Sequence, residues 1–254
     1  MSALRTGSAP PLVLLGYGSR DERASAVVAA YAAALAARRP DLCVESAYLA
    51  HRGPDAAAVV RRLAAAGATE VVLVPLLLTG GRHAAVDLPA AVAAARAAAP
   101  GCEVVAAERL GLQPGWLGVL DDRLRCALRA AQVRDLDGLV LASAGSADPS
   151  VRAAVGRLGR AWAAAHRLPV ISAYAAVTGP STGEAVRTLR RDGRRQVAVG
   201  SLFLAPGAMS DRAAELALEA GAVAVSAPLG FDDSLVEHLL HRYQVAALRS
   251  LTLA

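Results

Sequence analysis

The chain has 254 residues, 55% of them hydrophobic and 19% charged, with a formal net charge of +5. That apolar content supports a buried core in one large domain or two small ones and excludes a disordered chain. All 27 basic residues are Arg, scattered among Asp and Glu in amphipathic segments, and aromatics make up only 4%. Nucleic-acid binding would want a basic stripe with interleaved aromatics, so no nucleic-acid partner is expected.

Short β-rich runs alternate with long Ala/Leu/Arg stretches of helical period. Strands are expected at 12–15, 42–48, 70–77 and 102–107, with helices at 22–38, 55–66, 84–98 and 115–131. The second half repeats the scheme, with strands near 138–142, 169–175, 196–204 and 222–226, each followed by a helix. Strands apolar on both faces belong to a parallel sheet covered by helices on each side. An α/β fold follows, with ligands at the carboxyl ends of its strands.

An internal repeat sharpens this. Val44-Glu45-Ser46-Ala47-Tyr48 returns as Val170-Ile171-Ser172-Ala173-Tyr174, 126 residues on, and Val71–Leu78 matches Val197–Leu204 at the same offset. Gly18-Ser19 falls on Gly145-Ser146 and Leu110-Gly111 on Leu229-Gly230. The chain therefore reads as two similar Rossmann-like domains, residues 10–131 and 135–250, each a four-stranded parallel sheet flanked by helices, facing each other across a cleft. The halves differ in their loops: Tyr17 corresponds to Ala144 and His83 to Met209. Reactive side chains are therefore expected from the first half.

No apolar run approaches the ~20 residues of a membrane span, and Met1 to Pro11 lacks the apolar core of a signal peptide, so a cytoplasmic protein without membrane partners is expected. Cys43, Cys102 and Cys126 are too dispersed for a disulfide framework or a Cys-x-x-Cys metal site, and read as buried free thiols.

The loop Gly16-Tyr17-Gly18-Ser19-Arg20-Asp21 closes the first strand and opens a helix. Its amides and Arg20 could cradle an anion. It lacks the third glycine of a dinucleotide fingerprint. The plainer alternative is a tight turn capped by Ser19 or Asp21, with Tyr17 packed. His51 follows the second strand and His83 the third, on the same sheet edge as Tyr17, which suits metal binding or proton transfer. His166, His238 and His241 lie on helices or helix ends and read as surface or packing residues.

These loops resemble those of the sirohydrochlorin chelatase family, the class II cobalto- and ferrochelatases, in a two-domain long form. There the first strand ends in Gly-His-Gly-Ser-Arg, and a later loop carries Gly-Gly-His followed by Asp-Leu-Pro or Asp-Ile-Pro. The matching stretches are Gly16–Arg20 and Gly80-Gly81-Arg82-His83, with Asp87-Leu88-Pro89 after it; Val44–Ala50 matches a family segment ending in Glu. The resemblance implies insertion of Fe²⁺ or Co²⁺, the metal being a substrate, into a tetrapyrrole for siroheme or cobalamin synthesis, with no organic cofactor. The family holds its metal with two His and a Glu. Tyr17 and Ala50 stand where the first His and the Glu are expected, and His83 alone matches. The shared sheet edge of Tyr17, His51 and His83 therefore suggests a rearranged site, with His83 and Tyr17 as catalytic groups and His83, Tyr17 and His51 as metal ligands. Ser19, Arg20, Arg52 and Arg82 would bind the substrate's carboxylates, guanidinium forks being suited to them. A descendant that binds a tetrapyrrole or metal without catalysis is the alternative. Either a monomer or a homodimer is compatible.

Overall fold

A computed structural model describes residues 9–81, 83–176 and 179–251. In chain order the first elements are β1 (Leu12–Gly16), α1 (Glu22–Arg38), β2 (Val44–Tyr48), α2 (Ala56–Ala65) and β3 (Glu70–Pro75). A π-helical turn (His83–Asp87) then leads into α3 (Leu88–Ala98), followed by β4 (Glu103–Ala106) and α4 (Trp116–Ala130). The second series is β5 (Gly138–Ser143), α5 (Pro149–His166), β6 (Val170–Tyr174), α6 (Thr182–Arg191), β7 (Val197–Leu202), α7 (Ala208–Glu219), β8 (Ala224–Val225) and α8 (Asp233–Leu251). Two four-stranded parallel sheets result, ordered β2-β1-β3-β4 and β6-β5-β7-β8.

The central strands β1, β5 and β7 are buried at every position, as expected of strands covered on both faces. Period-two alternation sends Val13, Leu15, Val71 and Leu73 to one face, where they pack with Val59, Val60 and Leu63 of α2 and Val92 and Ala95 of α3. Asp21, Asp55 and Asp148 start α1, α2 and α5 by accepting backbone N–H groups.

One expected helix begins differently. The stretch 84–98 is regular only from Leu88, and the turn before it is π-helical. Pro89 is the cause: it has no N–H for the Ala85 carbonyl, and its ring would crowd that oxygen in an α-helical turn. β8 is likewise shorter than the expected 222–226. The Ser226 hydroxyl accepts the Ser201 N–H at 2.8 Å, where a strand carbonyl would otherwise serve.

The chain packs as two compact units, Met1–Gly111 with Phe231–Ala254, and Leu112–Gly230. These do not coincide with the sequence repeats, because each repeat's last helix covers the other repeat's sheet. α4 buries Trp116, Val119, Leu120 and Leu124. Leu120 sits with Trp162 of α5 over Gly200 of β7, where a Cβ would be 2.6 Å from the Trp162 ring. α8 closes the first unit: Tyr243 donates to the Pro10 carbonyl at 2.6 Å, and Arg38 of α1 binds Asp233 at 2.9 Å. Among the described residues, no helix is long and apolar enough to cross a membrane.

Candidate metal and tetrapyrrole site

The order β2-β1-β3-β4 makes the chain leave β1 toward one side of the sheet and return to the other side for β3, which opens a crevice at the carboxyl ends of β1 and β3. Three loops gather there. The loop after β1 runs beside the loop after β2, tied by Leu49 N–H to the Gly16 carbonyl (3.0 Å) and Ala50 N–H to the Tyr17 carbonyl (2.9 Å). This approach requires glycine at position 18. Its φ is +92°, and a Cβ there would collide with the Ala50 carbonyl oxygen. Gly145 repeats the arrangement in the second unit, with φ +84° and the Ala176 oxygen 2.5 Å from where a Cβ would stand.

The side chains that emerge converge. The Tyr17 and His83 rings lie 4.0 Å apart between centroids, tilted by 44°. Tyr17 also meets His51, with ring centroids 5.7 Å apart at 78° and its hydroxyl 3.4 Å from His51 Nε2. His51 holds a φ of +60°, uncommon for a residue with a Cβ, which turns the chain sharply between β2 and α2. His83 Nδ1 lies 2.7 Å from Asp87 Oδ2, and the His83 side chain is 46% exposed, open to a ligand. His83 Nε2 has no hydrogen-bond partner among the described residues.

The remaining expected residues fall around this group. Ser19 Oγ accepts the Asp21 N–H at 3.0 Å, and it is Asp21, not Ser19, that caps α1. Arg23 hydrogen-bonds the Asp21 carboxyl and holds it below the usual carboxylate range. Arg20 is exposed and makes no ion pair among the described residues, whereas Arg52 binds Glu22 at 2.7 Å. Arg82 lies outside the described residues. Asp87 makes a contact that the sequence alone does not assign; its signal is a His followed four residues later by Asp, a spacing that brings two helical side chains together.

Among the described residues, no three His, Cys, Asp or Glu side chains are grouped to hold a metal. The convergent donors are two imidazoles and a phenol. The second unit has Ala144 and Met209 at the positions of Tyr17 and His83; Val177, matching His51, lies outside the described residues. Elsewhere, His166 binds Asp121 at 2.9 Å, and the half-buried His238 accepts from Arg242 at 3.2 Å. Burial, together with the Arg242 charge, pushes the His238 imidazole below its ordinary value. Cys102 is buried and Cys43 partly so, but Cys126 is exposed, contrary to expectation, because it falls off the α4 stripe of Trp116, Val119, Leu120 and Leu124.

The CbiX family model matches residues 11–127 and again residues 138–246. Among solved structures, the chain is similar to SirB from Bacillus subtilis with Fe³⁺ (21% identity, 96% of this chain and 98% of that one, TM-score 0.79). It is also similar to the sirohydrochlorin chelatase SirB from Bacillus subtilis subspecies spizizenii in complex with cobalt (20% identity, 94% and 95% covered, TM-score 0.77). CbiX, the terminal enzyme for biosynthesis of siroheme in denitrifying bacteria, matches at 19% identity over 93% of this chain and 99% of that one, with TM-score 0.64. No curated protein matches the sequence.

Proposed function

The chain belongs to the CbiX family, and from that premise we propose that it is a sirohydrochlorin chelatase, inserting Fe²⁺ or Co²⁺ into the macrocycle for siroheme or cobalamin synthesis in the cytoplasm. The observation that carries this reading is the convergence of Tyr17, His51 and His83 at the switch point of the first sheet.

Insertion exchanges two pyrrole N–H protons for one divalent ion, so the site must offer donors to the metal and an acceptor for protons. Imidazole suits both tasks near neutral pH. In this reading His83 presents Nε2 to the metal, its other nitrogen being occupied by Asp87. Tyr17 supplies phenol oxygen, a donor known to hold iron in haem proteins. His51 lies beside that hydroxyl and would take the phenol proton as the metal binds, pass it to solvent, and then accept the pyrrole protons in turn. Arg20 is available to the carboxylates of the macrocycle. Ser19 is engaged through Oγ in shaping the turn, so its part is to hold the loop. Arg52 would have to exchange Glu22 for a substrate carboxylate. Arg82 is assigned the same substrate role from its place in the loop.

Tyr17 and Ala50, standing where the family is expected to carry His and Glu, favour a second reading: a carrier or sensor that binds the metal or tetrapyrrole without inserting one into the other. Anaerobic mixing of the protein with sirohydrochlorin and Co²⁺ or Fe²⁺, followed by absorbance against a protein-free control, separates the two. Chelatase activity predicts faster insertion that disappears in His83→Ala. A spectral shift from binding without faster insertion would support the carrier, and insertion unaffected by His83→Ala would remove His83 from the mechanism.

A further inference from the structure

Helices α1, α2, α3 and α5 all have Asp at the N-cap position, but one of those carboxylates does something else. Asp21, Asp55 and Asp148 have extended backbones and accept the N–H of Arg23, Ala58 and Ser150, respectively. Asp87 stands in the same place before α3, yet its backbone is helical (φ −70°, ψ −39°) and its side chain makes no capping bond. Its Oδ2 instead lies 2.7 Å from His83 Nδ1, across the π-helical turn that Pro89 enforces.

An ionised carboxylate has no proton to donate. The partner nitrogen in this contact is therefore the one that carries hydrogen. We propose that Asp87 is a positioning residue that locks the neutral His83 ring in its Nδ1–H tautomer, so that the Nε2 lone pair is always the one offered to the divalent metal substrate. The inference rests on His83 as a metal donor. A carboxylate behind a metal-binding imidazole fixes both tautomer and ring direction and raises the basicity of the nitrogen that faces the metal. Tyr17 restrains the ring from its face, at 4.0 Å between centroids, while Asp87 restrains it from its edge. The second unit is consistent with a paired function. At the 126-residue offset His83 becomes Met209 and Asp87 becomes Ala213. There α7 already begins at Ala208, no N-cap side chain caps it, and Ser210 Oγ accepts the Gly207 N–H at 2.9 Å.

The test is a long-range proton–nitrogen correlation spectrum of metal-free protein carrying ¹⁵N-histidine, recorded where imidazole is neutral. Among the five histidines, the His83 signals are identified by their loss in His83→Gln. In the unaltered protein His83 should show a protonated Nδ1 and a bare Nε2. Asp87→Ala should move it to the Nε2–H form that free imidazole side chains prefer, and Asp87→Glu should restore the original form in part. Co²⁺ affinity, read by titration of the same samples, should fall about 10- to 100-fold in Asp87→Ala and recover in Asp87→Glu. A mixed or Nε2–H spectrum for the unaltered protein overturns the proposal without any variant, and so does an Asp87→Ala spectrum that does not change. If the tautomer behaves as stated while the unaltered protein fails to speed metal insertion, the chelatase reading falls and the positioning role stands.

Discussion

Tyr17 and His83 come from loops 66 positions apart in the chain (17 to 83), yet their rings meet at 4.0 Å between centroids. That contact packs the Tyr17 ring against the imidazole, and under the proposed function the same side chain has a second, separable job, offering oxygen to the metal. Tyr17→Phe removes only the second. Co²⁺ binding is expected to weaken about tenfold or more, with the unfolding midpoint nearly unchanged. Unchanged Co²⁺ affinity in a titration would leave Tyr17 as a packing residue.

Gly18 and Gly145 make the same backbone approach in the two units, which gives a matched pair of substitutions. Gly18→Ala places a methyl group against the Ala50 oxygen at a positive φ, and Gly145→Ala does so against the Ala176 oxygen. Each should destabilise the protein by at least ~2 kcal/mol in denaturant unfolding. Only Gly18→Ala should also weaken Co²⁺ binding, because the displaced backbone leads directly into His51. Equal binding by both variants would disconnect the His51 loop from the site.

Asp121 serves two donors with one oxygen: the indole N–H of the fully buried Trp162, at 2.7 Å, and His166 Nε2, at 2.9 Å. Asp121→Ala leaves the indole without that acceptor, which should cost about 1–3 kcal/mol in the urea unfolding free energy. Asp121→Asn keeps an acceptor oxygen and should lose less. Metal binding should be unaffected in both.

Tyr243 links stability to alkaline pH. Its phenol is buried, donates to the Pro10 carbonyl, and is pushed up to about 12 by burial. In the unfolded chain a tyrosine ionises near ~10. Above that pH the unfolded state has released the proton while the folded state still holds it, so folding is progressively disfavoured. The contribution is thus intact below pH ~10 and lost as pH rises through about 12. Tyr243→Phe should be less stable than the parent at pH 8 but show a flatter decline over that alkaline window. Parallel declines in thermal melts would assign the alkaline loss to other groups.

The sheet and the site edge were legible in the sequence for a simple reason. β1, and β3 beyond Glu70, are buried on both faces, so those residues must be continuously apolar, and chain order in an α/β fold places the loops after successive strands on one edge. Tyr17, His51 and His83 therefore fall into one group by chain order alone. Asp87 was visible as part of a motif, but its role was not. An Asp before a helix ordinarily caps it, and only the π-turn built around Pro89 shows this one turned toward His83.

By itself, then, the sequence determined the alternation of strand and helix, the duplication, and the side chains available at the loops, because these follow from local periodicity and from residue identity. Only the tertiary structure decided where the last helix of each repeat packs. The amphipathic α4 and α8 carry apolar stripes that fit any complementary sheet face, so nothing local marks a partner. The choice rests on long-range fits: the space left by Gly200 for Leu120 and Trp162, and the reach of Tyr243 to Pro10. The contact of His83 Nδ1 with Asp87 was decided in the same way, by a carboxylate that does not cap its own helix and lies instead across the turn that precedes it.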